Sequence, residues 1–125
     1  MLIRRGDIVR LLFPNSDLIS SKRRPALVVQ ADKLRTGLSQ ILLAMVTSNL
    51  SRANHPSRVL VEINSIEGKA SGLRLDSVIM TDNIVTIQEF EIDSILGKLP
   101  NMDTVDNALR HSFGLSETVK NFENG

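Results

Sequence analysis

The sequence breaks into a series of short strand-length runs, and this segmentation limits the possible folds more than any other feature. Asp7 to Phe13 is a β-branched and leucine-rich run, and Pro14-Asn15-Ser16-Asp17 follows it with turn-forming residues. Five more apolar or alternating runs of this kind lie at 26–31, 40–46, 58–63, 77–79 and 84–87. About six short strands predict a small barrel or a strongly bent sheet.

The hydrophobic period changes near the end of the chain. After Pro100, Asn101 is positioned to cap a helix whose apolar residues fall at helical spacing: Met102, Val105, Leu109 and Phe113. Gly114 supplies a stop. The predicted fold class is therefore mainly β, with an amphipathic C-terminal helix packed on the sheet.

The length of 125 residues corresponds to one domain, which we place at 1–115, followed by a flexible tail at 116–125. The chain has no cysteine, which excludes disulfides and thiolate chemistry. Its N-terminus has arginines where a signal peptide would be apolar, and its longest apolar run, Ile41 to Val46, is too short to cross a membrane. We therefore expect a cytoplasmic protein without a membrane anchor.

Charge is divided unequally along the chain. Residues 1–62 carry ten Lys or Arg against four Asp or Glu, whereas residues 63–125 carry five against ten. A basic half of this kind indicates a surface that faces a polyanion. The four phenylalanines, without Trp or Tyr, offer little for stacking on bases, so any RNA contact must depend on charge and hydrogen bonds.

Most standard active-site patterns are missing, including phosphate-binding loops and histidine pairs at metal-ligand spacing. The sequence predicts no metal site and no cofactor. His55 and His111 are far apart and are assigned no role. The alternating carboxylates Glu89, Glu91 and Asp93 are typical of a solvated face.

Two short polar segments are better candidates for chemistry. Lys22-Arg23-Arg24-Pro25 places three cations directly before an apolar strand. The proline restricts the backbone conformation of Arg24, and a guanidinium held in a fixed position can bind a phosphodiester through two hydrogen bonds. Thr47-Ser48-Asn49 ends the next strand. Each segment also has an ordinary reading, as a solvated loop or a polar strand end. However, antiparallel neighbours at 26–31 and 40–46 would bring Arg24 and Thr47 to one edge of the sheet.

Six fragments in order give the chain a resemblance to the MazF/PemK family of toxin endoribonucleases from bacterial toxin-antitoxin pairs. The fragments are Arg5-Gly6-Asp7-Ile8-Val9, Arg24-Pro25-Ala26-Leu27-Val28-Val29, Met45-Val46-Thr47-Ser48, Gly72-Leu73-Arg74-Leu75-Asp76-Ser77-Val78-Ile79, Ile95-Leu96-Gly97-Lys98-Leu99, and Asn107-Ala108-Leu109-Arg110 with Gly114-Leu115. Together they span nearly the whole chain.

The resemblance implies a partly open antiparallel β-barrel shared with CcdB-type toxins, a homodimer, and a cognate antitoxin that silences the activity. It also implies metal-independent, sequence-selective cleavage of single-stranded mRNA through attack by the substrate's 2′-hydroxyl. The family's catalytic arginine and threonine fall on Arg24 and Thr47. The expected RNA contacts are Lys22, Arg23, Ser48, Asn49, Arg52 and Asn83.

Two departures from the family pattern affect the expected RNA groove. The first loop, Pro14 to Arg23, has no glycine where the family is usually glycine-rich. In Asp82-Asn83-Ile84-Val85-Thr86, Asn83 replaces an RNA-contacting glutamine and Val85 replaces an arginine. Both changes predict an altered base preference.

Two other functions are compatible with the same residues. One is a binding module without catalysis, including a CcdB-like inhibitor of a protein target. The other is a structural β-domain that keeps only the fold. The presence of both Arg24 and Thr47 favours the enzyme.

Overall fold

The computed structural model describes residues 1–14 and 21–116. Within them, six strands form one antiparallel sheet: β1 (Asp7–Pro14), β2 (Ser21–Val28), β3 (Gln40–Thr47), β4 (Arg58–Val61), β5 (Ser77–Gln88) and β6 (Ile92–Lys98). The strand order is β4-β5-β3-β2-β1-β6. Since β4 and β6 are not paired with each other in the described residues, the sheet is bent but open, and the predicted mainly β, partly open architecture is confirmed.

Strand β2 begins five residues before the predicted start and ends three residues before the predicted end. It pairs with β1 along its length, from Ile8 opposite Leu27 to Pro14 opposite Ser21. The cations of residues 22–24 therefore lie in a strand, because cross-strand hydrogen bonding overrides the loop signal of their charge.

Strand β5 joins two runs that the sequence separates. Its pairing with β3 shifts register by three residues, from Met80 opposite Met45 to Ile84 opposite Ala44. The insertion, residues 81–83, is a bulge of odd length, so the faces to which β5 side chains point are exchanged beyond it. This exchange explains why Met80 and Val85 pack against the same core cluster.

The core lies on both faces of the sheet. One cluster includes Leu11, Ala26 and Met45, and the other includes Leu27, Val46 and Val105. Helix α2 (Asp103–Phe113) contributes Val105 and so covers the second face.

Helix α2 confirms the predicted terminal helix. Asn101 Oδ1 accepts a hydrogen bond from the Asp103 backbone N–H at 2.9 Å, and Gly114 ends the helix with φ +68°. Val105 is fully buried, but Phe113 is 60% exposed, so the prediction that Phe113 belongs to the buried stripe was wrong.

No helix in residues 1–14 and 21–116 is long and apolar enough to cross a membrane.

Helix α1 (Ile66–Ser71) was not predicted. Ser65 caps it by accepting the Gly68 N–H at 2.9 Å. The helix packs so closely on β6 that a Cβ at Gly97 would collide with the Ala70 carbonyl oxygen. The predicted tail, apart from Ser116, lies outside the described residues, and the 1–115 domain boundary stays a prediction.

Candidate active site

Arg24 lies on β2 and Thr47 ends the neighbouring strand β3, and each lies two residues beyond the last pair of the β2–β3 ladder. Ala26 pairs with Met45 in the β2–β3 ladder, and continuing this register by two residues sets Arg24 opposite Thr47. Strand alternation directs both side chains to the face of Ala26 and Met45. Both residues are half-buried. The register agrees with the expectation from sequence that these two residues meet at one edge of the sheet, whereas their catalytic roles stay predictions.

The turn after β3 orders the polar segment that begins at Thr47. Thr47 Oγ1 accepts the Asn49 N–H at 3.1 Å. Asn49 Oδ1 in turn accepts from the N–H and the hydroxyl of Ser51, at 3.1 and 2.7 Å, and so caps the 3-10 helix Leu50–Arg52. The Thr47 hydroxyl keeps its proton for donation, and any RNA contact of Asn49 falls to its NH₂ group.

A second polar group surrounds the β5 bulge and includes residues that the sequence did not single out. We call it the bulge cluster: Ser57, Arg58, Thr81, Asp82 and Ser112. Thr81 is fully buried, and its hydroxyl lies 2.7 Å from both the Ser57 carbonyl oxygen and Ser112 Oγ. Ser112 Oγ donates to Ser57 Oγ at 2.7 Å. These bonds connect the bulge to β4 and to α2.

The charged part of the bulge cluster is a two-point ion pair. Arg58 Nε donates to Asp82 Oδ1 at 2.8 Å, and Arg58 Nη2 donates to Asp82 Oδ2 at 2.6 Å. The hydrogen bond from Arg58 lowers the pKa of the Asp82 carboxyl below its ordinary value. The remaining terminal nitrogen of Arg58 donates to the Arg52 carbonyl oxygen at 2.8 Å. Arg58 and Asp82 are 24 residues apart, so the sequence alone does not indicate that they form an ion pair. They become neighbours only because β4 pairs with β5.

The predicted RNA contacts are divided between different parts of the sheet. Ser48, Asn49 and Arg52 are exposed in the turn after β3, and Asn83 is exposed in the β5 bulge. Lys22 is exposed on β2, two residues before Arg24.

Arg23 points away from Arg24 because successive side chains of a strand alternate. Its Nε lies 3.3 Å from Asp93 Oδ2, which also accepts a hydrogen bond from Arg10 Nε at 3.1 Å. These three residues, Arg10, Arg23 and Asp93, form what we call the Asp93 cluster. Hydrogen bonding from Arg10, with a smaller contribution from Arg23, lowers the pKa of the Asp93 carboxyl. The structure thus does not bring Arg23 together with Thr47.

His55 and His111, which were given no role, meet in the folded chain. Their rings are edge-to-face with centroids 5.9 Å apart, and His55 Nδ1 accepts the Ser57 N–H at 3.0 Å. Among the residues described, no three His, Asp or Glu side chains gather at metal-ligand distance.

The arrangement suits the binding of a phosphodiester. Arg24 supplies a planar, permanently charged donor group, and Thr47 supplies a hydroxyl at the facing position. Exposed polar side chains of the adjoining turn and bulge extend the surface along β3 and β5. A chain of nucleotides fits such an elongated, polar surface better than a compact metabolite does.

Comparison with known proteins gives one consistent family. Residues 4–113 match the model of the PemK-like, MazF-like toxins of type II toxin-antitoxin systems. Endoribonuclease MazF6 of Mycobacterium tuberculosis is 32% identical over 119 residues, which cover 92% of this chain and all of the relative. Endoribonuclease EndoA of Bacillus subtilis is 30% identical over 120 residues, with 92% and 97% coverage.

A solved structure shares the fold. A mycobacterial endoribonuclease in complex with its cognate antitoxin superposes with a TM-score of 0.72 at 19% identity, and the match covers 93% of this chain and 99% of the other. At this identity the likeness shows the fold alone.

Proposed function

The chain belongs to the PemK-like, MazF-like toxins of type II toxin-antitoxin systems, and we propose that it is an endoribonuclease that cleaves single-stranded mRNA. Relatives at 30–32% identity that bear the name endoribonuclease support the activity. The main structural support for the proposal is the β2–β3 register, which sets Arg24 opposite Thr47 when it is extended by two residues beyond the Ala26–Met45 pair.

In the proposed reaction the substrate supplies its own nucleophile. The 2′-oxygen attacks the adjacent phosphorus and loses its proton, the bond from phosphorus to the 5′-oxygen breaks, and that oxygen receives a proton. The products are a cyclic phosphate and a 5′-hydroxyl end. The protein must stabilise the extra negative charge on the phosphoryl oxygens and assist the leaving oxygen.

Arg24 and Thr47 divide this work in our proposal. The Arg24 guanidinium grips two phosphoryl oxygens and stabilises the charge that develops on them. The Thr47 hydroxyl, whose oxygen already accepts the Asn49 N–H, donates its proton to the phosphate or orients the attacking hydroxyl. Neither role needs a metal ion.

We further propose that the toxin acts as a homodimer in the cytoplasm and that a cognate antitoxin inhibits it. The solved relative in complex with its antitoxin supports such a partner. An acidic, unstructured segment of the antitoxin would occupy the RNA surface by competing for its cations, which include Arg24 and Arg52. Arg23, which the sequence added to this group, lies on the other face beside Asp93. Inhibition then results from competition with RNA for one surface.

The test of the activity is incubation of the purified protein with a long single-stranded RNA in excess chelator, followed by mapping of cut sites and end groups. We expect discrete cuts with 5′-hydroxyl ends. A matched RNA with 2′-deoxyribose at the cut position should bind but resist cleavage. If no RNA is cut, the proposed function is wrong and the non-catalytic module is favoured.

Replacement of Arg24 tests the chemical role. Loss of one preorganised donor to a developing oxyanion reduces a rate about a hundred- to a thousandfold. We therefore expect Arg24→Ala to reduce the cleavage rate by at least this factor. Arg24→Lys keeps the charge but loses the fork and should recover little. Thr47→Ala should also be impaired. Circular dichroism serves as the folding control, and a folded, fully active Arg24→Ala would refute the mechanism.

A further inference from the structure

The β5 bulge lies between two of the proposed RNA-contacting segments. Asn83 belongs to the bulge itself, and the turn that carries Ser48 and Arg52 follows β3, the strand paired with β5. Because the bulge adds three residues at this point, its backbone is not held by the β3–β5 ladder. Its position must come from other contacts.

Arg58 provides several of the contacts that hold the bulge in place. Three nitrogens of Arg58 donate to two different segments: two to the Asp82 carboxylate in the bulge and one to the Arg52 carbonyl oxygen in the turn. Arg58 itself starts β4, opposite Met80. A planar guanidinium with fixed donor directions sets both distance and angle between the groups that it joins.

We propose that Arg58 and Asp82 are positioning residues that set the spacing between the Ser48–Arg52 turn and Asn83, and thereby determine which RNA sequences are cut. The inference rests on the proposed function. The two residues act through their neighbours, because the fork of Arg58 is engaged within the protein and its side chain is only 20% exposed.

A purely stabilising role would have a different signature. Ion pairs at a protein surface contribute little to stability, and the Asp82 side chain is 38% exposed. Displacement of a contact group by about 1 Å, in contrast, reduces a rate by as much as a hundredfold. Breaking the pair should therefore change the choice of cut site far more than it changes the melting temperature.

The test compares Arg58→Lys and Asp82→Asn with Asp93→Asn, which breaks an ion pair of the same chemistry in the Asp93 cluster. For each protein, kcat and KM are measured on a preferred and on a non-preferred RNA site. We expect the first two variants to reduce the ratio of kcat/KM between the two sites about tenfold or more, mainly through KM. Asp93→Asn should leave this ratio unchanged. Amide hydrogen exchange of Arg52 and Ala53 should quicken in the first two variants only.

The outcomes separate the two proposals. If the wild-type protein cuts RNA and both variants keep its site preference, the positioning role is wrong and the proposed function stands. The positioning role is also wrong if cutting of both sites falls by one common factor in step with the melting temperature. If the wild-type protein cuts no RNA, the proposed function fails, and the role in site choice fails with it.

Discussion

Two arginine–aspartate clusters at opposite ends of the sheet use the same charges with different consequences. In the bulge cluster, one arginine grips both oxygens of Asp82 and also holds a backbone carbonyl, beside hydroxyls that are buried. In the Asp93 cluster, a single carboxylate oxygen is shared by Arg10 and Arg23, whose side chains are 42% and 58% exposed. The first fixes backbone segments, whereas the second mainly balances surface charge.

The comparison shows that an ion pair is informative through what it holds in place. Arg58, the first residue of β4, is joined to the β5 bulge and to the turn after β3, and neither the bulge nor the turn is paired in a ladder at this point. Arg10 and Arg23 lie on β1 and β2, which pair with each other along their length. The β1–β6 register shifts at Asp93, but its two neighbours, Ser94 and Ile92, are both paired with β1. Loss of the second cluster should therefore be tolerated.

The largest expected effect on stability is in the buried part of the bulge cluster. Thr81→Val keeps the shape but removes the hydroxyl that bonds Ser57 and Ser112. The Ser57 carbonyl oxygen still accepts the Thr81 N–H, and Ser112 still bonds Ser57 Oγ, so we expect the loss of a buried hydrogen bond at a cost of about 0.5–1.5 kcal/mol. Thr81→Ser, which keeps the hydroxyl, is the matched control. Urea unfolding at constant m measures the loss. Equal stability of Thr81→Val and the wild type would show that the cluster does not hold the bulge.

A smaller, pH-dependent effect is expected from Asp82. Its pKa is lowered in the folded state, so its contribution to stability is present above the ordinary pKa of about 4 and is lost as the pH falls through the folded-state value. The difference in unfolding free energy between the wild type and Asp82→Asn should be constant near neutral pH. It should decrease towards zero in acid, as the Asp82 carboxylate becomes protonated. Urea midpoints across a pH series measure it. A difference that persists at the lowest pH would assign the effect to something other than the charge.

The smallest effect is expected from the Asp93 cluster. Asp93→Asn leaves the strands paired, so we expect no measurable change in the thermal midpoint. It removes a negative charge beside Arg10 and Arg23, so RNA should bind more tightly at low salt, by a similar factor for every sequence. Filter binding over a salt series measures this change. A clear loss of stability would remove the contrast between the two clusters.

Much of the candidate site could be predicted because its elements are local in sequence. The apolar runs that became β2 and β3 are short and adjacent, so their antiparallel pairing could be predicted, and with it the expectation that Arg24 and Thr47 lie at one edge of the sheet. The terminal helix could also be predicted, from the helical spacing of its apolar residues and from Gly114 at its end. Strand β6 was not among the strands that the apolar runs predicted, although it includes part of the Ile95-Leu96-Gly97-Lys98-Leu99 fragment that resembles the family.

The errors occurred where tertiary pairing outweighs local pattern. Lys22 and Arg23 carry a loop signal, yet β1 provides hydrogen-bonding partners for their backbone. Thr81, Asp82 and Asn83 separate two apolar runs, yet they form a bulge inside one strand. Asp93 was read as a solvated carboxylate because its partners are 70 and 83 residues distant in sequence.

The sequence by itself determined the class of fold, the terminal helix and the pairing of β2 with β3, because apolar periodicity and the pairing of neighbouring strands depend on residues close along the chain. Only the tertiary structure decided the separation of Arg23 from Arg24 across the sheet and the grip of Arg58 on Asp82 and Arg52. Those contacts depend on register and on one bulge. A shift of a single residue in either would have turned the same side chains to the other face of the sheet.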